Sequence, residues 1–126
     1  MSLTLPREIL KWIQGLDLSY SVRDVRRLTI IPLINFRDLN NGFLIAEIYS
    51  RYKHYKISMH SFDNSQNSER RKNNWDLLEQ FHKKNAIPYE PELVPRILEN
   101  DFDALYDYMK GMFSYLTSKK FSLSLY

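Results

Sequence analysis

The chain has 126 residues, 44% of them hydrophobic and 14% aromatic, which suits one domain with a single core and argues against a wholly disordered chain. It contains no cysteine, which excludes disulfide bonds, a cysteine nucleophile and thiolate metal sites. The N-terminus shows no signal-peptide pattern and no apolar stretch has the length of a transmembrane helix, so we expect a protein of the cytoplasm and cytoskeleton.

The net charge of +3 is distributed unevenly along the chain. Residues 1–60 contain nine Lys and Arg against five Asp and Glu, whereas residues 89–126 contain four against six. A fold that keeps these two parts separate has an electric dipole, and its basic side can steer an acidic partner. The alternative is that the charges are only the solvated sides of helices.

The first predicted element is a helix from Leu5 to Leu16. Its apolar residues follow one helical stripe, and Pro6 suits the first turn. Residues 17–27 are predicted to form a connection that contains a short basic turn. Residues 28–37 are mostly apolar and β-branched, but Pro32 argues against both a helix interior and a central strand. We interpret them as an irregular insertion or a short edge strand.

A helix that is apolar almost all round is predicted from about Asn41 to Tyr52. The only charge between Phe43 and Ser50 is Glu47. A helix that is hydrophobic on every side belongs in the middle of a domain, so this segment is predicted to be the buried centre of the fold. The residues that can cap it are Asp38, Asn40 and Asn41.

Residues 53–68 are predicted to form a polar loop that leads to the next helix, from about Ser68 to Lys84. A short helix should follow from Pro91 to Glu99. The clearest amphipathic pattern starts near Asp101 and continues to Leu116. The apolar residues expected to anchor the polar loop to the core are Ile57, Met59 and Phe62.

These elements predict an all-α fold in which four principal helices and short connecting helices surround the buried central helix. One domain should cover residues 1–120, and residues 121–126 form a tail with no assigned role.

Three motifs, in this order, resemble those of a calponin-homology domain. The first helix carries Trp12 on its core stripe. The central helix opens with Asn-Gly-Phe-Leu-Ile-Ala-Glu-Ile over residues 41–48, where the family has Asp-Gly-x-x-Leu-x-x-Leu. A later helix carries Asn74 and, four residues on, Leu78, followed by Phe81. The resemblance implies the calponin-homology fold.

The likeness is sharper to the branch of this family that includes sperm flagellar protein 1 and spermatogenesis-associated protein 4. It covers about residues 5–118, and it implies a non-enzymatic module that binds microtubules in the axoneme of cilia and flagella. One departure is the insertion of residues 28–37, because in the family the basic turn runs almost directly into the motif that opens the central helix. The segments that carry the branch likeness are residues 5–12, 25–27, 41–48 and 61–64.

Clustered cations are the candidates for contact with tubulin, whose acidic surface and tails would accept charge-assisted hydrogen bonds from guanidinium groups. The family likeness supports Arg26 and Arg27 in particular. The alternative is that these side chains are solvated charges of a loop or of helix surfaces. The candidate residues are Arg23, Arg26, Arg27, Lys53, Lys56, Arg70, Arg71 and Lys72.

Other kinds of site have little support in the sequence. The spacing of His54, His60 and His82 fits no common metal-ligand pattern. There is no phosphate-binding glycine loop or nucleophile motif, so we predict no enzyme, no cofactor and no catalytic residue. The basic residues are too scattered for a nucleic-acid interface, and no membrane partner is expected.

Two other functions stay open beside microtubule binding. The chain could be an actin-binding or signalling calponin-homology module, although actin-binding members usually carry two such domains in tandem. It could also be an adaptor that binds another protein through the apolar insertion Leu28–Phe36.

Overall fold

The structure, a computed structural model, describes residues 7–16, 18, 39–52 and 56–125, and within these the side chains of all but residues 10, 14 and 118–125. This part of the chain is helical, which confirms the predicted all-α class. A 3-10 turn at Met59–Ser61 precedes the third helix. The α-helices are α1 (Arg7–Gly15), α2 (Phe43–Ser50), α3 (Ser68–Lys84), α4 (Leu93–Leu98) and α5 (Phe102–Leu125).

Helix α2 is the buried centre of the fold, as its apolar sequence predicts. Every residue from Leu44 to Tyr49 is buried, including the charged Glu47 at 7% exposure. The carboxylate of Glu47 reaches the guanidinium of Arg51 one turn later, at 3.2 Å. A charge is therefore tolerated in this helix because its partner holds it at the edge of the core.

The turn that opens α2 depends on Gly42. Its φ is +87°, a left-handed conformation that side chains rarely adopt. A Cβ at this position would lie 3.2 Å from the Cβ of Asn74 and 3.3 Å from Leu78. Of the predicted caps, Asn41 makes a local bond, because its Oδ1 accepts from the backbone N–H of Phe43 at 2.9 Å. The glycine therefore permits both the turn and the close approach of α2 to α3.

Helix α3 has the predicted bounds and joins the segments on both sides of α2. The side-chain amide of Asn74 donates to the carbonyls of Asn41 and Asp63, each at 2.8 Å, and accepts from the N–H of Asp63 at 3.0 Å. The indole of Trp75 donates to the carbonyl of Asn40 at 2.8 Å. Backbone groups of Asn40, Asn41 and Asp63 thus receive partners from one turn of helix.

The predicted anchors of the polar loop pack against the core, with Phe62 buried and both Ile57 and Met59 half-buried. Trp12 is half-buried instead of central. Its indole N–H donates to the hydroxyl of Tyr52 at 2.7 Å, so the ring lies where α1 meets the end of α2.

Helix α5 is longer than predicted. It continues through Leu125, so residues 121–125 are its last turns and not a separate tail. Ala104, Leu105, Met109 and Met112 form its buried stripe. The predicted insertion, residues 28–37, lies outside the described residues. No helix in the described ranges combines the length and apolarity that crossing a bilayer requires.

We expect Gly42→Ala to lower the free energy of unfolding by about 2 kcal/mol, because the left-handed conformation alone costs an L-residue roughly 1–2 kcal/mol. The matched control is Gly111→Ala in α5, where a Cβ would meet nothing within 4 Å. That substitution should raise stability by about 0.5–1 kcal/mol through helix propensity. Urea unfolding followed by circular dichroism measures both, and a Gly42→Ala protein as stable as wild type would contradict the packing described here.

Candidate functional site

Half of the eight predicted contact residues fall in the described part of the chain. Arg23, Arg26, Arg27 and Lys53 lie outside it. Lys56, Arg70 and Lys72 are exposed, whereas Arg71 is buried. The predicted cations are thus of three kinds: those beyond the described residues, exposed ones, and one that belongs to the core.

The C-terminal ends of α1 and α2 are hydrogen-bonded to each other. Two segments with predicted cations follow these helix ends along the chain, one with Arg23, Arg26 and Arg27 and one with Lys53 and Lys56. Nε of Arg51 donates to the carbonyl of Leu16 at 2.9 Å. The bond between Trp12 and Tyr52 joins the same two helix ends at 2.7 Å. Along the chain, the segment with the basic turn follows the end of α1, and Lys53 and Lys56 follow the end of α2. Arg51 therefore fixes the junction from which both segments leave.

The two exposed candidate cations on α3, Arg70 and Lys72, are already paired. Arg70 forms an ion pair with Asp63, and Lys72 forms one with Asp76 at 3.3 Å. Each of these side chains is at least 42% exposed, so the pairs contribute little to stability. They do neutralise the charge of this helix face, which makes it a weaker attractor for an acidic partner than the sequence suggests.

Arg71 is not the exposed side chain that either a tubulin contact or a solvated helix surface requires. The residue is only 7% exposed, and burial lowers the pKa of its guanidinium. Its NH2 nitrogen donates to the carbonyl of Leu98 and to Oδ1 of Asn100, both at 3.0 Å, and to the carbonyl of Ile97 at 3.3 Å. Arg71 therefore holds the end of α4 against α3.

The sequence contained a signal for this role. Arg71 lies three, four and seven residues before Asn74, Trp75 and Leu78, which is the spacing of one helical face, and all three of those residues are buried. A charged residue on a buried stripe indicates an interior hydrogen-bond donor.

A second site, which the sequence did not reveal, is a cleft of about 290 Å³ beside α5. Its floor is a hydrogen-bonded chain of three buried side chains from α2, α3 and α5. Nε2 of His82 lies 2.9 Å from the hydroxyl of Tyr108, which is 3.3 Å from the hydroxyl of Tyr49. Nδ1 of His82 lies 3.0 Å from the carbonyl of Ile87, which assigns the proton to Nδ1.

The ionisation of this floor is set mainly by its burial. Loss of solvent lowers the pKa of His82, with partial opposition from the Ile87 carbonyl and from Glu79. Burial likewise raises the pKa of Tyr108 well above its usual value. At the cleft wall, burial and a 2.7 Å hydrogen bond to Glu79 raise the pKa of Tyr89 to about 12. The floor is therefore neutral at physiological pH.

We expect Arg71→Ala to lower the free energy of unfolding by about 2–3 kcal/mol, because it leaves buried acceptors without a donor. Lys72→Ala, at the next position but in an exposed pair, should change it by less than about 0.5 kcal/mol. Thermal or urea unfolding distinguishes the two roles. Similar, small effects for both variants would mean that Arg71 is a surface charge after all.

The stability of the wild type should fall between about pH 7.5 and pH 5.5 by more than that of His82→Gln. The folded pKa of His82 is depressed, so the unfolded chain binds the proton more readily. Above the unfolded pKa of about 6.5 the imidazole is neutral in both states, and the free energy of unfolding has its full value. As the pH falls below that value, the unfolded chain takes up the proton first and the free energy of unfolding decreases. His60→Gln, at an exposed position, is the control and should follow the wild type. Parallel pH profiles for wild type and His82→Gln would refute the buried, neutral assignment.

Comparison with known families assigns the fold. The family model described as a CH-like domain in sperm protein matches residues 9–114, from α1 to the middle of α5. Domains of this kind are generally non-catalytic binding modules, so the match indicates a cytoskeleton-related binding module. The helical architecture, the buried central helix and the match agree, and the chain belongs to the family of calponin-homology-like domains found in sperm proteins.

Proposed function

We propose that this chain is a microtubule-binding module of a ciliary or flagellar cytoskeletal protein, which docks on tubulin through a basic face. The observation that carries the proposal is the match of residues 9–114 to a CH-like domain in sperm protein. The finer likeness of residues 5–12 and 41–48 to the sperm flagellar protein 1 branch supports microtubules as the partner and the axoneme as the location.

The burial of described residues on either side of the basic segment supports a defined docking geometry. The described residues on either side of the segment that carries Arg23, Arg26 and Arg27 include Leu18 and Leu39, each 1% exposed in the same core. A segment held at both ends loses less conformational freedom on binding than one held at a single end.

Burial and ion pairing reduce the number of candidate cations that can contact a partner. Arg71 is buried, and both Arg70 and Lys72 have carboxylate partners. Lys56 is exposed and follows the junction of α1 and α2. We therefore propose that the contact set consists of Arg23, Arg26, Arg27, Lys53 and Lys56.

The proposed mechanism is rigid docking steered by charge. The helical core holds the anchors of the basic segments, long-range attraction brings the basic face to the acidic lattice, and short-range hydrogen bonds then fix the orientation. Because the attracting charges are exposed, salt should screen the encounter and weaken binding.

Co-sedimentation with stabilised microtubules, and separately with actin filaments, across a salt series tests the proposal. Arg26→Glu/Arg27→Glu should weaken microtubule pelleting by about tenfold or more, because charge-assisted hydrogen bonds are lost and repulsion replaces them. Arg70→Glu/Lys72→Glu is the matched control: it changes the net charge equally, but on the neutralised face of α3. Its effect should be several times smaller, and circular dichroism should show native helix content in both variants.

Three results would contradict the proposal at different levels. Pelleting with actin alone would overturn the microtubule assignment. Unchanged microtubule pelleting by Arg26→Glu/Arg27→Glu would remove those arginines from the contact. Equal losses in the two double variants would mean that net charge, and not a defined face, drives the interaction.

A further inference from the structure

The cleft beside α5 has the chemistry of a site for a positively charged group. Its buried floor is the neutral chain of Tyr49, Tyr108 and His82, and the half-buried rings of Tyr89 and Tyr115 add two more aromatic walls. Aromatic faces attract cations through their quadrupole, more strongly where water is excluded. A volume of about 290 Å³ is near the lower end of the range for ligand pockets, roughly 300–1,000 Å³.

The charges around the cleft favour the same kind of ligand. Two exposed carboxylates, Glu90 and Asp107, belong to its lining, and among the lining residues whose side chains the structure describes there is no lysine or arginine. Glu79 lies behind the wall, hydrogen-bonded to Tyr89. The depressed pKa of His82 keeps its positive charge out of the floor. The cleft therefore combines aromatic walls with two rim carboxylates, of which Asp107 is paired with Lys110 and Glu90 has no ion-pair partner among the described residues.

Helix α5 already displays this type of recognition within the chain. The ammonium of Lys110 lies 4.5 Å from the centre of the Tyr106 ring and 3.8 Å from Oδ1 of Asp107. Both members of that ion pair are about half exposed, so the pair contributes little to stability, and a second cation would compete with Lys110 for Asp107. This surface thus already places an ammonium close to a tyrosine ring and a carboxylate.

We propose that the cleft binds an arginine or lysine side chain presented by a basic segment of a partner protein. The exposed residues at its mouth, Pro88, Glu90, Asp107 and Gly111, admit a side chain from outside. The aliphatic stem would pack on Leu93 and Met112, and the charged end would stay near the mouth, beside the half-buried rings of Tyr89 and Tyr115 and the rim carboxylates, because the buried floor disfavours a cation. The site attracts the opposite charge from the tubulin-docking face, so it would serve a different partner.

Titration of the full chain with N-acetyl-arginine methylamide, followed by NMR chemical shifts, tests the site directly. The probe should give saturable shifts at Tyr89, Gly111 and Met112 with a dissociation constant of about a millimolar, the scale expected for one side chain. N-acetyl-citrulline methylamide has nearly the same shape without the charge, and its binding should be at least several-fold weaker. Equal binding of the two probes would overturn the proposal.

Two variants locate the binding in the cleft. Glu90→Gln/Asp107→Asn removes both rim charges with little change of shape and should weaken arginine binding by about tenfold. The charge-matched control, Glu92→Gln/Glu99→Gln, alters exposed residues of α4's ends that lie outside the lining and should leave binding within about twofold. Equal losses in both variants would reduce the effect to net charge and refute a defined site.

Gly111→Leu provides a test that does not depend on charge. A Cβ at this position meets nothing within 4 Å, so the larger side chain can extend into the cleft without disturbing α5. It should abolish probe binding while leaving the unfolding transition at or above that of the wild type. Retained binding in the folded variant would contradict the proposal.

Two further measurements distinguish side-chain binding in the cleft from microtubule docking and from self-association. Microtubule co-sedimentation of Gly111→Leu should equal that of the wild type, so failure of the cleft and failure of the proposed function are distinguishable. Analytical ultracentrifugation should show a monomer whose mass does not change with Gly111→Leu. Self-association that this variant abolishes would mean that the occupant is a second copy of the chain, and would overturn the assignment to a partner protein.

Discussion

The rest of the structure depends on the three hydrogen bonds of one buried amide, that of Asn74. It donates to the carbonyl of Asn41, before α2, and to the carbonyl of Asp63, after α2, and it accepts from the N–H of Asp63. Without it the buried carbonyl of Asn41 and the N–H of Asp63 would lose this partner, and an unpaired polar group in the core is costly. Because Gly42 carries no Cβ, α2 can approach α3 closely enough for the bonds to form. The position of α2 along α3 is therefore fixed, and with it the position of Arg51 at the other end of α2.

The sequence predicted the elements whose identity is encoded locally. Helix α3 begins and ends as predicted, at Ser68 and Lys84. Its apolar residues keep a regular helical spacing, and the side chain of Asn67 caps its first turn. The burial of α2 followed from its composition alone. The charge of Arg71 suggests a surface residue, whereas its place on the buried stripe indicates the interior donor that the structure shows. The cleft could not be predicted, since Tyr49, His82 and Tyr108 are 26 or more residues apart and no local spacing brings them together.

Charged residues in this domain perform two physically different tasks. Arg71 and the Glu47–Arg51 pair are held by specific partners and connect helices, so their removal would lower the free energy of unfolding. Lys56, Glu90 and Glu92 are exposed and can act on molecules that approach. Of these two classes only the second can steer a partner, which is why burial, and not the number of cations in a segment, separates binding candidates from structural residues.

A lattice of tubulin presents acidic groups at fixed intervals, so a docking domain gains affinity when its cations are held at matching positions before contact. The described fold buries Leu18 and Leu39, on either side of the segment that carries the proposed cations, and joins the ends of α1 and α2 through the bond from Arg51 to Leu16. A cation on an unanchored chain would lose about 1–2 kcal/mol per residue of backbone freedom on docking, which is comparable to the hydrogen bond it forms. In the proposed docking, buried residues that flank the cations are therefore as important as the charge itself.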